Sequence, residues 1–245
     1  MHFIDYILLF GLAFLSGILY LFIKPQANIL KLVLTFSGAY LFCLTAIHLL
    51  PELYSDGNPL KTGIFIVVGF VLQIILEVFS EGIEHGHIHV HKHEHSHNHF
   101  PWLMMLGLSI HSFMEGMPLS CQFQGILHLK INPLLAGILL HNIPIAYSLM
   151  SMLMQSGIKK MQALFFLILF SLMAPLGSAF SNFLQLVFVN NLSEYYNIIM
   201  AVVVGIFLHI STTILFESSN NHRFNIIKIA TVLGGAATAV LLEYI

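Results

Sequence analysis

Eight stretches of about 20 mostly apolar residues, the length a helix needs to cross the hydrocarbon core of a bilayer, fill most of this 245-residue chain. They run at about 3–23, 30–50, 62–82, 102–122, 133–154, 162–188, 197–217 and 226–245, with ends good to about two to four residues. Backbone placed in lipid must satisfy its own polar groups, which leaves helices or the strands of a closed barrel. These runs are continuous rather than alternating, and that selects helices. The expected fold is therefore all-α, a polytopic membrane helix bundle with eight transmembrane helices forming a single domain over residues 1–245. Charged residues make up only 8% of the chain, where a soluble domain carries about a quarter. Lipid is thus the expected surroundings. A net charge of −2 gives nucleic acid no reason to bind. Cys43 and Cys121 both lie inside apolar segments and build no disulfide framework. The first apolar stretch lacks the basic region and small-residue cleavage site of a secretory signal, so it is read as retained.

Orientation follows from the nine Lys and Arg. One set of loop ends holds Lys24, Lys31, Lys92, Lys159, Lys160, Arg223 and Lys228, and the other holds only Lys61 and Lys130. Cytoplasmic loops carry the excess of basic residues. Both termini are therefore expected outside, with the loop carrying Pro51, Glu52 and Asp56.

Between the third and fourth stretches the chain reads EHGHIHVHKHEHSHNH from Glu84 to His99. Histidine occupies every odd position: His85, His87, His89, His91, His93, His95, His97 and His99, eight of the fifteen in the protein. The segment has no helical apolar face. Neutral imidazole is the commonest ligand of borderline metals, and a loose tract can gather several around one ion. By the charge argument the tract is cytoplasmic. A polar linker with compositional drift is the bland alternative, but metal buffering accounts better for the regularity.

The fourth stretch carries His111-Ser112-Phe113-Met114-Glu115-Gly116-Met117-Pro118. His111 and Glu115 are four apart and so share a helix face. A carboxylate at that depth costs at least a few kcal/mol unless it is paired, solvated or coordinated. Alone, the pair would read as a protonated Glu115 bonded to His111. The fifth stretch, however, adds His141-Asn142-Ile143-Pro144-Ile145. Two mid-membrane histidines and a glutamate on consecutive helices point instead to a metal site. Pro118 and Pro144 support this, since a proline in a helix frees a carbonyl one turn earlier and broken helices in membranes line cavities.

In this order the motifs resemble the ZIP (Zrt/Irt-like) family of divalent-metal transporters over essentially the whole chain. His48-Leu49-Leu50-Pro51-Glu52 is similar to that family's HLLPE or HLLPD signature, and the His tract to its cytoplasmic loop. HSFMEG resembles its fourth-span motif and HNIPI its fifth-span motif, while Ala174-Pro175-Leu176-Gly177 stands where many members have Glu-Pro-Leu-Gly. The resemblance implies transport without catalysis, and a central site on spans four to six. Family members commonly hold two metals there. Here His111, Glu115 and His141 match one half of that set, while the second metal's positions read Ser112, Asn142, Ile145 and Ala174. Ser112 and Asn142 offer weak oxygen ligands; Ile145 and Ala174 offer none. One ion is expected, not two. Two imidazoles and a carboxylate suit Zn²⁺ best, with Fe²⁺, Mn²⁺, Co²⁺, Ni²⁺ and Cd²⁺ left open.

The flanking residues extend the path. His48 and Glu52, four apart at the outer end of the second stretch, read on spacing alone as an interfacial helix end, and the resemblance favours an entrance. Glu77, Glu81 and Glu84 lead into the His tract either as an exit or as a solvated helix end. His209 is expected to bond another helix rather than metal, and the eleven methionines are packing residues. The expected activity is zinc uptake toward the cytoplasm by alternating access, weakening at acid pH as protons compete for the ligands. The expected setting is a bacterial inner membrane, with a homodimer allowed. The alternatives are a non-transporting metal sensor and a membrane metalloenzyme, the latter disfavoured because it would need an activated water and a substrate cavity, and only three strong ligands are central.

Overall fold

A computed structural model describes residues 2–23, 27–56, 58–80, 102–120, 132–187, 192–217 and 226–244. Among them the secondary structure is helical: α1 (Phe3–Leu19), α2 (Ala27–Leu44), a π turn (Thr45–Leu49), α3 (Leu50–Asp56), α4 (Pro59–Ser80), α5 (Trp102–Gly116), a 3-10 turn (Met117–Ser120), α6 (Pro133–Gln155), α7 (Lys160–Val187), α8 (Leu192–Glu217) and α9 (Ile226–Tyr244). Six of these are long and apolar enough to cross a membrane: α2 to α3 as one rod over Asn28–Ser55, then α4, α6, α7, α8 and α9. α1 has 17 residues and α5 has 15, both shorter than a usual span. Along α4, Ile64, Val67, Val68, Val71, Ile74, Ile75 and Val78 are all exposed, an apolar face too extensive for water.

Local chemistry explains where the helices begin and bend. α4 and α6 each start at an Asn-Pro pair. Asn58 Oδ1 accepts from the amides of Leu60 and Lys61 at 3.1 and 3.2 Å. Asn132 Oδ1 accepts from Leu134 and Leu135 at 2.8 and 3.0 Å. Each asparagine caps its helix while the proline occupies the first position, where no amide is needed. The second apolar stretch does not end at Leu50, as its sequence suggests. It widens into the π turn, where the Leu50 amide donates to the Thr45 carbonyl five residues back, and it continues as α3 to Asp56. The extra residue in the turn makes room for the Pro51 ring, so Glu52 lies on a helix rather than in a loop.

The helices pack as two sets. In one, α4 and α8 cross so closely that a Cβ on Gly69 would lie 1.9 Å from the Val202 carbonyl oxygen, and one on Gly205 2.0 Å from that of Ile66. α9 joins α2 where Gly235 meets the Phe36 carbonyl, and α2 meets α8 where Gly38 faces Ile214. In the other set, α5 and α7 cross at Gly116 against Ala174 and at Gly177 against Phe113, again backbone to backbone. α1 packs on α7 through Gly17 and Leu167, and on α6 where Ser16 Oγ donates to the Ile143 carbonyl at 2.5 Å. Small residues at such crossings let backbones touch, which is how helices associate without help from the hydrophobic effect. The contacts between the sets are less close. Tyr40 of α2 lies on Gly137 of α6 and donates to the Pro133 carbonyl at 2.7 Å. α4 approaches α5 at Gly107, whose Cβ position is 3.0 Å from the Leu76 carbonyl oxygen.

Candidate metal centre

α5 and α6 bring His111, Glu115 and His141 together with no exposure to the surface. His111 Nε2 is 3.2 Å from Glu115 Oε1, and His141 Nε2 is 4.0 Å from the same oxygen. One ligand atom from each residue lies within 4.8 Å of the others, and among the described residues this is the group of His, Cys, Asp or Glu able to hold a metal ion. The imidazole rings meet nearly edge to face, at 85° with centroids 5.9 Å apart. Helix geometry produces this arrangement: the i, i+4 spacing stacks His111 under Glu115, and α6 places His141 opposite them.

The electrostatics favour a cation. Among the described residues, neither oxygen of Glu115 accepts a hydrogen bond, and Asn142 Oδ1 on α6 is likewise without one. Buried carboxylates are normally hydrogen-bonded, paired or coordinated. A divalent ion at metal–ligand distances of about 2.0–2.2 Å would satisfy Glu115 and both imidazoles at once. Ser112 and Asn142, expected as weak ligands, are also buried, each beside its histidine in the chain. The two prolines differ. α5 gives way to the 3-10 turn just after Glu115, with Pro118 inside that turn, whereas Pro144 sits within an unbroken α6.

Apolar packing fills the positions where the family resemblance implies further ligands. Ile145 is fully buried in the cluster shared by α1, α5, α6 and α7, against Leu108, Leu149 and Phe170 among others. Ala174 is buried where α7 crosses Gly116. A longer side chain at either position would have to displace this packing.

Other expected residues are placed as follows. His48 Nε2 lies 3.6 Å from Glu52 Oε2, and His48 Nδ1 lies 2.8 Å from Glu243 Oε1 on α9. His209 meets Glu77 at 2.5 Å, joining α8 to α4. The inter-helix bond expected of His209 is therefore present, and Glu77 is its partner. Glu81, Glu84 and the tract from His85 to His99 lie outside the described residues. Sequence reasoning missed two residues: Glu243, a solitary acid near the end of the last apolar stretch, and Gln73. Gln73 is fully buried on α4, with Oε1 3.2 Å from His111 Nδ1. A lone amide in the middle of an apolar helix was the available signal.

The profile of the family described as ZIP zinc transporter matches residues 80–243, about two thirds of the chain, including all three central residues and α5 to α9. No individual curated protein matches. The family consists of membrane transporters rather than enzymes, and its substrates are divalent metal ions, which accords with the apolar helices and with a buried His and Glu cluster that could hold such an ion. By motif order, helical architecture and this match, the chain belongs to the ZIP zinc transporter family.

Proposed function

We propose that the protein takes up Zn²⁺ toward the cytoplasm by alternating access around one central ion held by His111, Glu115 and His141. The observation that carries this reading is the convergence of three buried ligand atoms within 4.8 Å. All three ligands belong to the helix set of α1, α5, α6 and α7, so movement of this set against α2, α4, α8 and α9 would carry the site from one face to the other. His48 and Glu52 stand at the entrance. Glu77, Glu81 and the histidines of the tract receive the ion on the cytoplasmic side, with Ser112, Asn142 and water completing the coordination. The proposed setting is one eight-span domain with both termini outside, in a bacterial inner membrane.

In proteoliposomes, zinc-65 uptake by the wild type should exceed that of a His111→Ala/His141→Ala variant severalfold. It should also weaken as external pH falls, since metal and proton compete for the same imidazole and carboxylate atoms. Equal uptake by the two proteins would sink the central-site reading. Tight zinc binding without any flux would select the sensor instead, a reading favoured by the apolar Ile145 and Ala174.

Stoichiometry is a separate expectation. A zinc-soaked structure should show one ion between α5 and α6. Two ions about 4 Å apart, the spacing of a two-metal site, would overturn it. An Ile145→Glu variant should be the form that gains a second ion.

A further inference from the structure

The bond from α4 to His111 joins the metal centre to the other helix set. Gln73 Oε1 is 3.2 Å from His111 Nδ1, and both residues are fully buried. The packing beside it explains why the bond is possible. At Gly107, one turn before His111 on α5, a Cβ would meet the Leu76 carbonyl oxygen at 3.0 Å and Phe79 Cβ at 3.2 Å. The bare glycine lets the two antiparallel helices close on each other, and one turn along, the same closeness brings Gln73 within reach of His111. On the far side of the ring, His111 Nε2 faces Glu115 at 3.2 Å.

We propose that Gln73 is a positioning residue of this site: it accepts the Nδ1–H of His111, which fixes the tautomer and ring plane and turns the Nε2 lone pair toward the metal. The inference rests on the metal-centre reading. A metal-bound histidine commonly donates its other N–H to a fixed acceptor, and loss of that acceptor typically weakens binding about 10- to 100-fold. A carboxamide fills this place without adding charge to a site already holding Glu115. Because Gln73 belongs to the opposite helix set, it supports His111 only while the two sets hold this arrangement, so the site should bind most tightly here.

The test is titration of the full-length protein in detergent with Co²⁺, read by its visible ligand-field bands. The His111→Ala/His141→Ala variant, which keeps the His tract, serves as baseline. Gln73→Leu is expected to raise the Co²⁺ dissociation constant about 10- to 100-fold and to shift the bands, while the metal-free unfolding midpoint stays near wild type. Gln73→Glu, which restores an acceptor, should bring the affinity back to within a few-fold of wild type. If Gln73→Leu does not fold, Gln73→Met takes its place with the same expectation. Wild-type affinity and bands in the apolar variant, with binding lost in the double-histidine variant, would overturn the role of Gln73 alone. If wild type and double variant titrate alike, the metal centre falls, and this inference with it.

Discussion

Replacing Gly69 with leucine is expected to leave little folded protein in the membrane. A Cβ at this position would lie 1.9 Å from the Val202 carbonyl oxygen, with that residue's carbonyl carbon and Cα also inside 3 Å. All three are backbone atoms, so no rotamer change relieves the clash and α4 must move away from α8 by more than an ångström. The reciprocal approach of Gly205 to Ile66 then opens as well. Overpacking a well-filled site costs about 1–3 kcal/mol and sometimes more. With both halves of the crossing pried apart together, we expect about 3 kcal/mol or above, a large part of the usual stability margin. Gly11, with no described residue within 4 Å of its Cβ position, is the control, and Gly11→Leu should behave like the wild type. The measurement is the unfolding midpoint in mild detergent with added denaturant. Matching midpoints for Gly69→Leu and Gly11→Leu would show that the α4–α8 crossing is not the tight joint described.

Glu115→Gln should separate binding from stability. The amide keeps the shape of the side chain but removes the negative charge that a divalent ion needs between two neutral imidazoles. The loss of affinity should reach at least about a hundredfold, the upper end of what loss of a supporting residue alone costs. The metal-free protein should be no less stable. Glu115 is fully buried and, among the described residues, nothing donates a hydrogen bond to either of its oxygens, and burying a carboxylate costs far more than burying a neutral amide. Calorimetric zinc titration and thermal unfolding in chelator read the two effects independently. Retained affinity would show that Glu115 is not a ligand. A large drop in chelator stability would show that it serves the bundle as the ionic partner of His111.

What was legible in the sequence was whatever depends on neighbours along one helix. The apolar stretches were visible by length, and His111 with Glu115, like His48 with Glu52, was visible by its four-residue spacing. His141 was found because imidazole at mid-span is costly unless used. What escaped depends on which helix faces which. Gln73 and Glu243 gain their meaning from His111 and His48, 38 and 195 residues away in the chain, and nothing local to either announces the partner. The continuation past Pro51 was hidden for another reason. Proline usually ends a helix, and only the one-residue widening at Thr45–Leu49 absorbs it. Ile145 and Ala174 lack ligand atoms on sight, but their roles in packing appear only once α7 is seen lying against α5 and α6.

The glycine crossings also bear on how heat and lateral pressure act on the molecule. A joint made of backbone against backbone has no rotamers to exchange, so it has few intermediate settings. The joints between the two sets are of a different kind: a tyrosine lying on Gly137, a single amide on an imidazole, and a looser approach at Gly107. Considered as an elastic body, the protein is stiff within each set and compliant along the seam between them. Thermal motion should therefore concentrate in one coordinate, and that coordinate runs past His111.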